Sequence, residues 1–111
     1  MGYIKHKAII VTDSNKISIE KVHRKCKKII KNYLKKVEFK HCYVPMLTEI
    51  VKSVCNGFYS FMIATDGSKE GWEVSNDMKD VRKDIINYLI SKQIEYAYIT
   101  YGGDSDDKTI E

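Results

Sequence analysis

The stretch Asn56-Gly57-Phe58-Tyr59-Ser60-Phe61-Met62-Ile63-Ala64-Thr65 decides the fold. Asn-Gly is the strongest short hairpin signal, because both residues accept the positive φ that a tight turn between strands demands. The run after it is aromatic and apolar with no helical period, which predicts a strand over residues 58–65. A hairpin turn needs a strand on each side. On that ground Thr48–Val54 is expected as the preceding strand. Leu47, Ile50, Val51 and Val54 also fit the i, i+3, i+4, i+7 spacing of a short helix, and that alternative stays open.

Upstream, residues 3–12 read as a first strand around Ile9-Ile10-Val11, a consecutive apolar run suited to a central strand covered on much of both faces. Asp13-Ser14-Asn15 supplies turn and cap formers. From Lys16 the period changes. Ile19, Val22, Cys26, Ile29, Ile30, Tyr33 and Val37 recur at steps of three and four, the stripe of an amphipathic helix. Lys21, Arg24, Lys25, Lys27, Lys28, Lys31 and Lys35 fill its other side. Like charges so dense repel, so the apolar stripe must hold this helix in place.

Downstream, Asp66-Gly67-Ser68-Lys69-Glu70-Gly71-Trp72 has two glycines and no period, and is expected as a loop. A second helix is expected from about Asn76, capped by Asn76 or Ser75, with Met78, Val81, Ile85, Leu89 and Ile90 as its stripe. Residues 95–101 alternate as a final strand. The order is β-α-β-β-α-β, which predicts an α+β, ferredoxin-like domain: two helices on one face of a four-stranded antiparallel sheet. Residues 1–104 form this single domain, and 105–111 an acidic flexible tail. The other sheet face is left open, for self-association or for a ligand.

A chain of 111 residues, 43% hydrophobic and 31% charged, suits one globular domain. Apolar runs such as Ala8–Val11 fall far short of the about 18 residues of a membrane helix. The N-terminus lacks the apolar core of a secretion signal. Cys26, Cys42 and Cys55 form an odd set without a CxxC pair, so free thiols and a cytoplasmic setting are expected. The net charge of +4 hides an asymmetry: residues 1–40 carry twelve Lys/Arg against three acids, whereas residues 41–111 carry seven against twelve.

The basic helix suits a phosphate-bearing partner or an acidic protein surface, although a solvated outer face explains it as well. Lysine outnumbers arginine, the residue that reads phosphate and base edges with fixed geometry. The aromatic signature of RNA-recognition sheets is absent. His23 with Cys26 and His41 with Cys42 fall short of a zinc set, so no metal and no other cofactor is expected. The paired histidine motifs of two-histidine phosphoesterases are missing, although His6, Asp66 and Tyr98 could meet as acid-base groups. The 66–72 loop is the most informative segment. Gly67 and Ser68 offer backbone N–H groups, Lys69 a cation and Trp72 a stacking surface; together they could cradle a phosphate and a base. A plain strand-to-helix connection with Trp72 capping the core is the structural alternative.

Three blocks carry a resemblance: residues 1–12 (MGYIKHKAIIVT); Asn56–Ala64 with Asp66–Glu73 (NGFYSFMIA and DGSKEGWE); and Tyr101-Gly102-Gly103-Asp104. Together they resemble a family of small accessory proteins of tailed bacteriophages. Thr65 stands where that pattern has proline, and Lys7 where it has a second histidine. The resemblance implies a virus-encoded protein of the host cytoplasm that is dispensable for particle assembly. By analogy with phage proteins of this size, it implies a counter to bacterial immunity that sequesters a nucleotide signal. The expected function is therefore a non-catalytic, homo-oligomeric binder of a small anionic (cyclic) nucleotide, with His6, Gly67, Ser68, Lys69, Trp72 and Tyr101 at the ligand. A protein-protein inhibitor acting through the basic helix and a nucleic-acid-binding accessory protein are the alternatives; a phosphoesterase trails them.

Overall fold

The computed structural model describes residues 5–36, 46–67, 73–102 and 109–110. Strand β1 (Lys5–Asp13) is followed by helix α1 (Lys16–Lys36), short strand β2 (Val51–Lys52), strand β3 (Tyr59–Ile63), helix α2 (Glu73–Ser91), strand β4 (Glu95–Gly102) and short strand β5 (Thr109–Ile110). The sheet runs β2-β3-β1-β4-β5 and every neighbouring pair is antiparallel. The domain is α+β, and the order β2-β3-β1-β4 is compatible with the ferredoxin-like arrangement.

Strand β1 holds the centre. It pairs with β4 from Lys5↔Gly102 to Thr12↔Glu95, and with β3 from Ile9↔Ile63 to Asp13↔Tyr59. Because strand side chains alternate, Ile9, Val11, Phe61 and Ile63 share one side, with Tyr96 and Tyr98 opposite Val11 and Ile9. Those residues meet Ile19, Val22, Cys26 and Ile30 of α1 and Met78, Val81, Ile85 and Leu89 of α2 in one core. Both helices therefore lie on this side. Ile9 and Val11, on the helix side, are fully buried, while Ile10 on the other side is 36% exposed. Ala8, on the side away from the helices, is 5% exposed, so β1 has much of both faces covered, with the helix side sealed more completely.

Local chemistry sets the element ends. Asn15 caps α1, its Oδ1 accepting from the Ser18 N–H at 2.9 Å. Residues 47–52 run extended along β3 rather than as a helix, yet only Val51 and Lys52 form a strand. The cause is Thr48, whose hydroxyl oxygen accepts the Met62 N–H at 2.8 Å and interrupts the backbone ladder. His23 ties this segment to α1, its Nε2 lying 2.9 Å from the Thr48 carbonyl oxygen and its ring edge-on to Phe61 at 5.0 Å. Asn56 and Gly57 both have φ of 66°, as the Asn-Gly signal requires. Ser53 N–H donates to the Phe58 carbonyl at 2.8 Å, which closes a four-residue loop, Val54–Gly57, in place of a two-residue Asn-Gly turn.

Two expectations about boundaries are corrected. Helix α2 starts at Glu73, so Ser75 and Asn76 lie inside it and do not cap it. An acid in the first turn suits the positive helix end, and short polar side chains fix a start only where the helix cannot extend beyond them. The C-terminal residues assigned to a loose tail include β5, which pairs Ile99↔Ile110 and Thr100↔Thr109. No helix among the described residues is long and apolar enough to cross a membrane.

Candidate functional site

The chain direction places the starts of β1 and α2 and the ends of α1, β3 and β4 at one end of the domain. The 66–72 loop leaves β3 there. Gly67 is exposed, has φ of 77°, and would meet nothing within 4 Å if it carried a Cβ. Its left-handed backbone is what demands glycine there, since the space around it is open. Ser68, Lys69 and Trp72 lie outside the described residues, as does Cys42. Of the other predicted ligand residues, His6 and Tyr101 are brought together. They are register partners across β1 and β4, with ring centroids 5.1 Å apart and planes at 40°. The His6 Nδ1 is buried without a hydrogen-bond partner.

Arg82 organises a second constellation on the helix-covered side. It falls on the buried stripe of α2, four residues after Met78 and three before Ile85, and is 4% exposed. A buried guanidinium needs anionic and hydrogen-bonding partners. Its Nη1 donates to Asp66 Oδ2 at 3.0 Å, an ion pair with side chains 5% and 13% exposed. Its Nε donates to the Tyr98 hydroxyl at 3.2 Å. The start of the glycine loop is thus tied to the middle of α2 and to β4.

Arg82 and Tyr98 of this cluster also line a cleft of about 590 Å³ between α2 and β4, within the range of small-molecule sites. Asn76, Lys79, Asp80, Lys83, Ile86 and Asn87 complete its lining. Lys79 and Lys83 are exposed and one helical turn apart, so their ammonium groups converge on one side of the opening. Tyr98 and Ile86 supply apolar surface, and Asn76 and Asn87 supply amide donors and acceptors. The groove between α1 and α2, about 600 Å³, differs in chemistry: Asp77, Asp84 and the shared Asp80 line it with no basic residue among its lining, which repels an anion.

Asp66 and Tyr98, expected from the sequence to meet His6 as acid-base groups, are each bonded to Arg82 instead, and His6 belongs to the opposite side of the sheet. Arg82, Lys79, Lys83, Asn76 and Asn87 were missed. A signal for Arg82 was present, since it is the charged residue that interrupts an otherwise apolar stripe. Nothing comparable marks the lysines. Cys26 is buried in the core, which pushes its thiol up to about 12 by desolvation, and His23 is occupied with Thr48. Among the described residues no cluster of His, Cys, Asp or Glu could hold a metal ion, and the described cysteines Cys26 and Cys55 are free thiols. Comparison with protein-family models, curated proteins and solved structures finds no match to this chain.

Proposed function

We propose that the chain binds a small anionic nucleotide in the α2–β4 cleft and holds it without turning it over. The observation that carries this reading is the cleft's composition. Its lining joins Lys79, Lys83 and the buried Arg82 with a tyrosine and two asparagines, three cations against the single carboxylate of Asp80. Phosphate oxygens would sit at the two ammonium groups, in the positive potential that Arg82 extends beneath them. A base would lie against Tyr98 and Ile86, its polar edge toward Asn76 or Asn87. Asp66 limits how much of the Arg82 charge reaches the ligand, so the lysines carry most of the attraction.

Gly67, Ser68, Lys69 and Trp72 extend the proposal along the loop that begins at Asp66, adding N–H donors, a cation and a stacking surface. His6 and Tyr101 belong to the other side of the sheet and would contact a ligand only at the shared end of the domain. The resemblance to phage accessory proteins supports a cyclic nucleotide of host immunity as the ligand, sequestered in the host cytoplasm.

The deciding measurement is thermal denaturation with a panel of cyclic mono- and dinucleotides. A bound member should raise the Tm, and heat release should return it chemically intact. Lys79→Glu and Lys83→Glu, both at exposed positions, should abolish the shift and leave the unliganded Tm within a few degrees. A shift that survives both reversals would place the ligand elsewhere, and recovery of a cleaved nucleotide would make the protein an enzyme.

A second reading has its own observation. Lys21, Arg24, Lys25, Lys27, Lys28 and Lys31 are all exposed on α1, a cationic ridge suited to an acidic protein partner or to nucleic acid. Reversing Lys27, Lys28 and Lys31 to glutamate would abolish function on that reading and spare nucleotide binding. A gel shift that fades steeply with salt would point to nucleic acid.

A further inference from the structure

The sheet has a second face, and its composition differs from that of the helix side as far as the described residues show it. Alternation along the strands places Ile10, Met62, Ile99 and Tyr101 on the side away from the helices, and the same parity puts Val51 and Phe58 there. Ile10 is 36% exposed, Tyr101 38%, Phe58 41% and Val51 64%. Ala8, itself 5% exposed, Ala97, Thr12 and Ser60 lie between them, the last two satisfying each other through a 2.9 Å hydroxyl contact, and His6 stands beside Tyr101 at the far end with its Nδ1 buried. Among the described strand residues on this side the only formal charge is Glu95, at a corner opposite Thr12. In a chain where 31% of residues are charged, that is a concentrated apolar patch.

We infer that this face is the interface of a homodimer in which two copies pack sheet against sheet. Charge selects the second copy as the occupant. Through its helix side the chain presents the α1 lysine ridge, which repels another copy of itself. The open sheet face is close to neutral and lets two copies meet without opposing fields. Size agrees. Three long strands with short flanking ones span about 25 Å by about 20 Å, or about 500 Å² per copy and about 1,000 Å² for a pair. That area lies at the lower bound for a specific interface, so the dimer is expected to be reversible, with micromolar affinity. Ile10 sits on the central strand between its partners Met62 and Ala97, near the middle of the face. A two-fold axis through such a face brings the two Ile10 side chains close together. The helix-side cleft faces outward in this arrangement, so the dimer stands or falls independently of nucleotide binding.

The test is sedimentation velocity of the full chain from about 1 to about 500 µM. Wild type should shift from monomer to dimer across that range. Ile10→Lys and Ile10→Glu should each raise the dissociation constant at least about ten-fold, whereas an equimolar mixture of the two should dimerise again. Because a variant can disturb the fold, methyl NMR of the wild type supplies a separate reading. On dilution the Ile10, Ile99 and Met62 methyl signals should move while those of buried Ile19 and Ile30 stay fixed. A wild type that remains monomeric at the highest concentration overturns the inference. So does a dimer indifferent to both Ile10 substitutions, or one whose formation moves helix-side signals instead.

Discussion

Arg82 is where a charged side chain occupies a place that the helix period reserves for an apolar one. Its ion pair with Asp66 ties a loop to α2, and removing the carboxylate leaves a guanidinium 4% exposed without its anion. Asp66→Asn and Arg82→Met are each expected to cost about 3 kcal/mol by urea unfolding. The double variant should cost clearly less than the sum, since the second change removes the stranded charge. Additive losses would mean that the pair contributes no coupling. Cys26 makes a different prediction. Its folded thiol titrates at about 12, above the ordinary 9.0, so the neutral form is the one the core accepts. The sign follows from linkage. Stability from this group is complete below pH 9 and is lost as pH rises toward 12, because the unfolded chain ionises first. Urea unfolding at about pH 8 and about pH 10.5 should therefore show a steeper alkaline loss for wild type than for Cys26→Ala. Thiol labelling gives a parallel check: with Cys42 replaced by serine, Cys55 should react in the folded state and Cys26 only on unfolding.

Helix ends show which parts of an element are written locally. The α1 start was legible because Asn15 has the chemistry to accept an N–H two or three residues on, and it does so. Asn15→Ala should lower stability by about 1 kcal/mol, and Asn15→Asp should restore most of it. The α2 start was misread because Ser75 and Asn76 have the same chemistry, but the helix extends past them to Glu73. Its C-terminal end gave no glycine signal at all. Gln93 instead adopts φ of 56°, with Gln93 N–H donating to Ile90 at 3.1 Å and Ile94 N–H to Leu89 at 3.0 Å. This is the double hydrogen bond that usually closes on a left-handed glycine. A β-carbon in that conformation costs about 1 kcal/mol. Gln93→Gly should therefore stabilise the protein by about 1 kcal/mol, raising the Tm by about 4–8 °C in a scanning calorimeter. No gain would show that Gln93 makes a compensating contact.

At the scale of the whole molecule, the succession of elements was legible because the Asn-Gly segment joined β2 to β3 and two amphipathic stripes marked the helices, whereas the five-strand order was not. The candidate cleft was less legible. Strand alternation alone can say that His6 and Tyr101 share a face, but Lys79 and Lys83 become a site only once α2 is laid against β4. The fifth strand was hidden for a related reason: two residues after an acidic, glycine-led segment carry no period, and only the neighbouring edge of β4 organises them. That origin sets how much β5 matters. Strand β4 already pairs with β1 through eight consecutive positions and sends Tyr96 and Tyr98 against the core. Strand β5 adds pairing at Ile99 and Thr100 alone. Ending the chain after Gly103 removes four acids and Lys108, moving the net charge from +4 to +7 without touching the core. The truncated protein should keep its far-UV circular dichroism and lose about 1 kcal/mol, a drop in Tm of about 4–8 °C. Complete loss of cooperative unfolding would instead mean that the β1–β4 ladder depends on its outer neighbour, and that β5 belongs to the folding unit rather than to its edge.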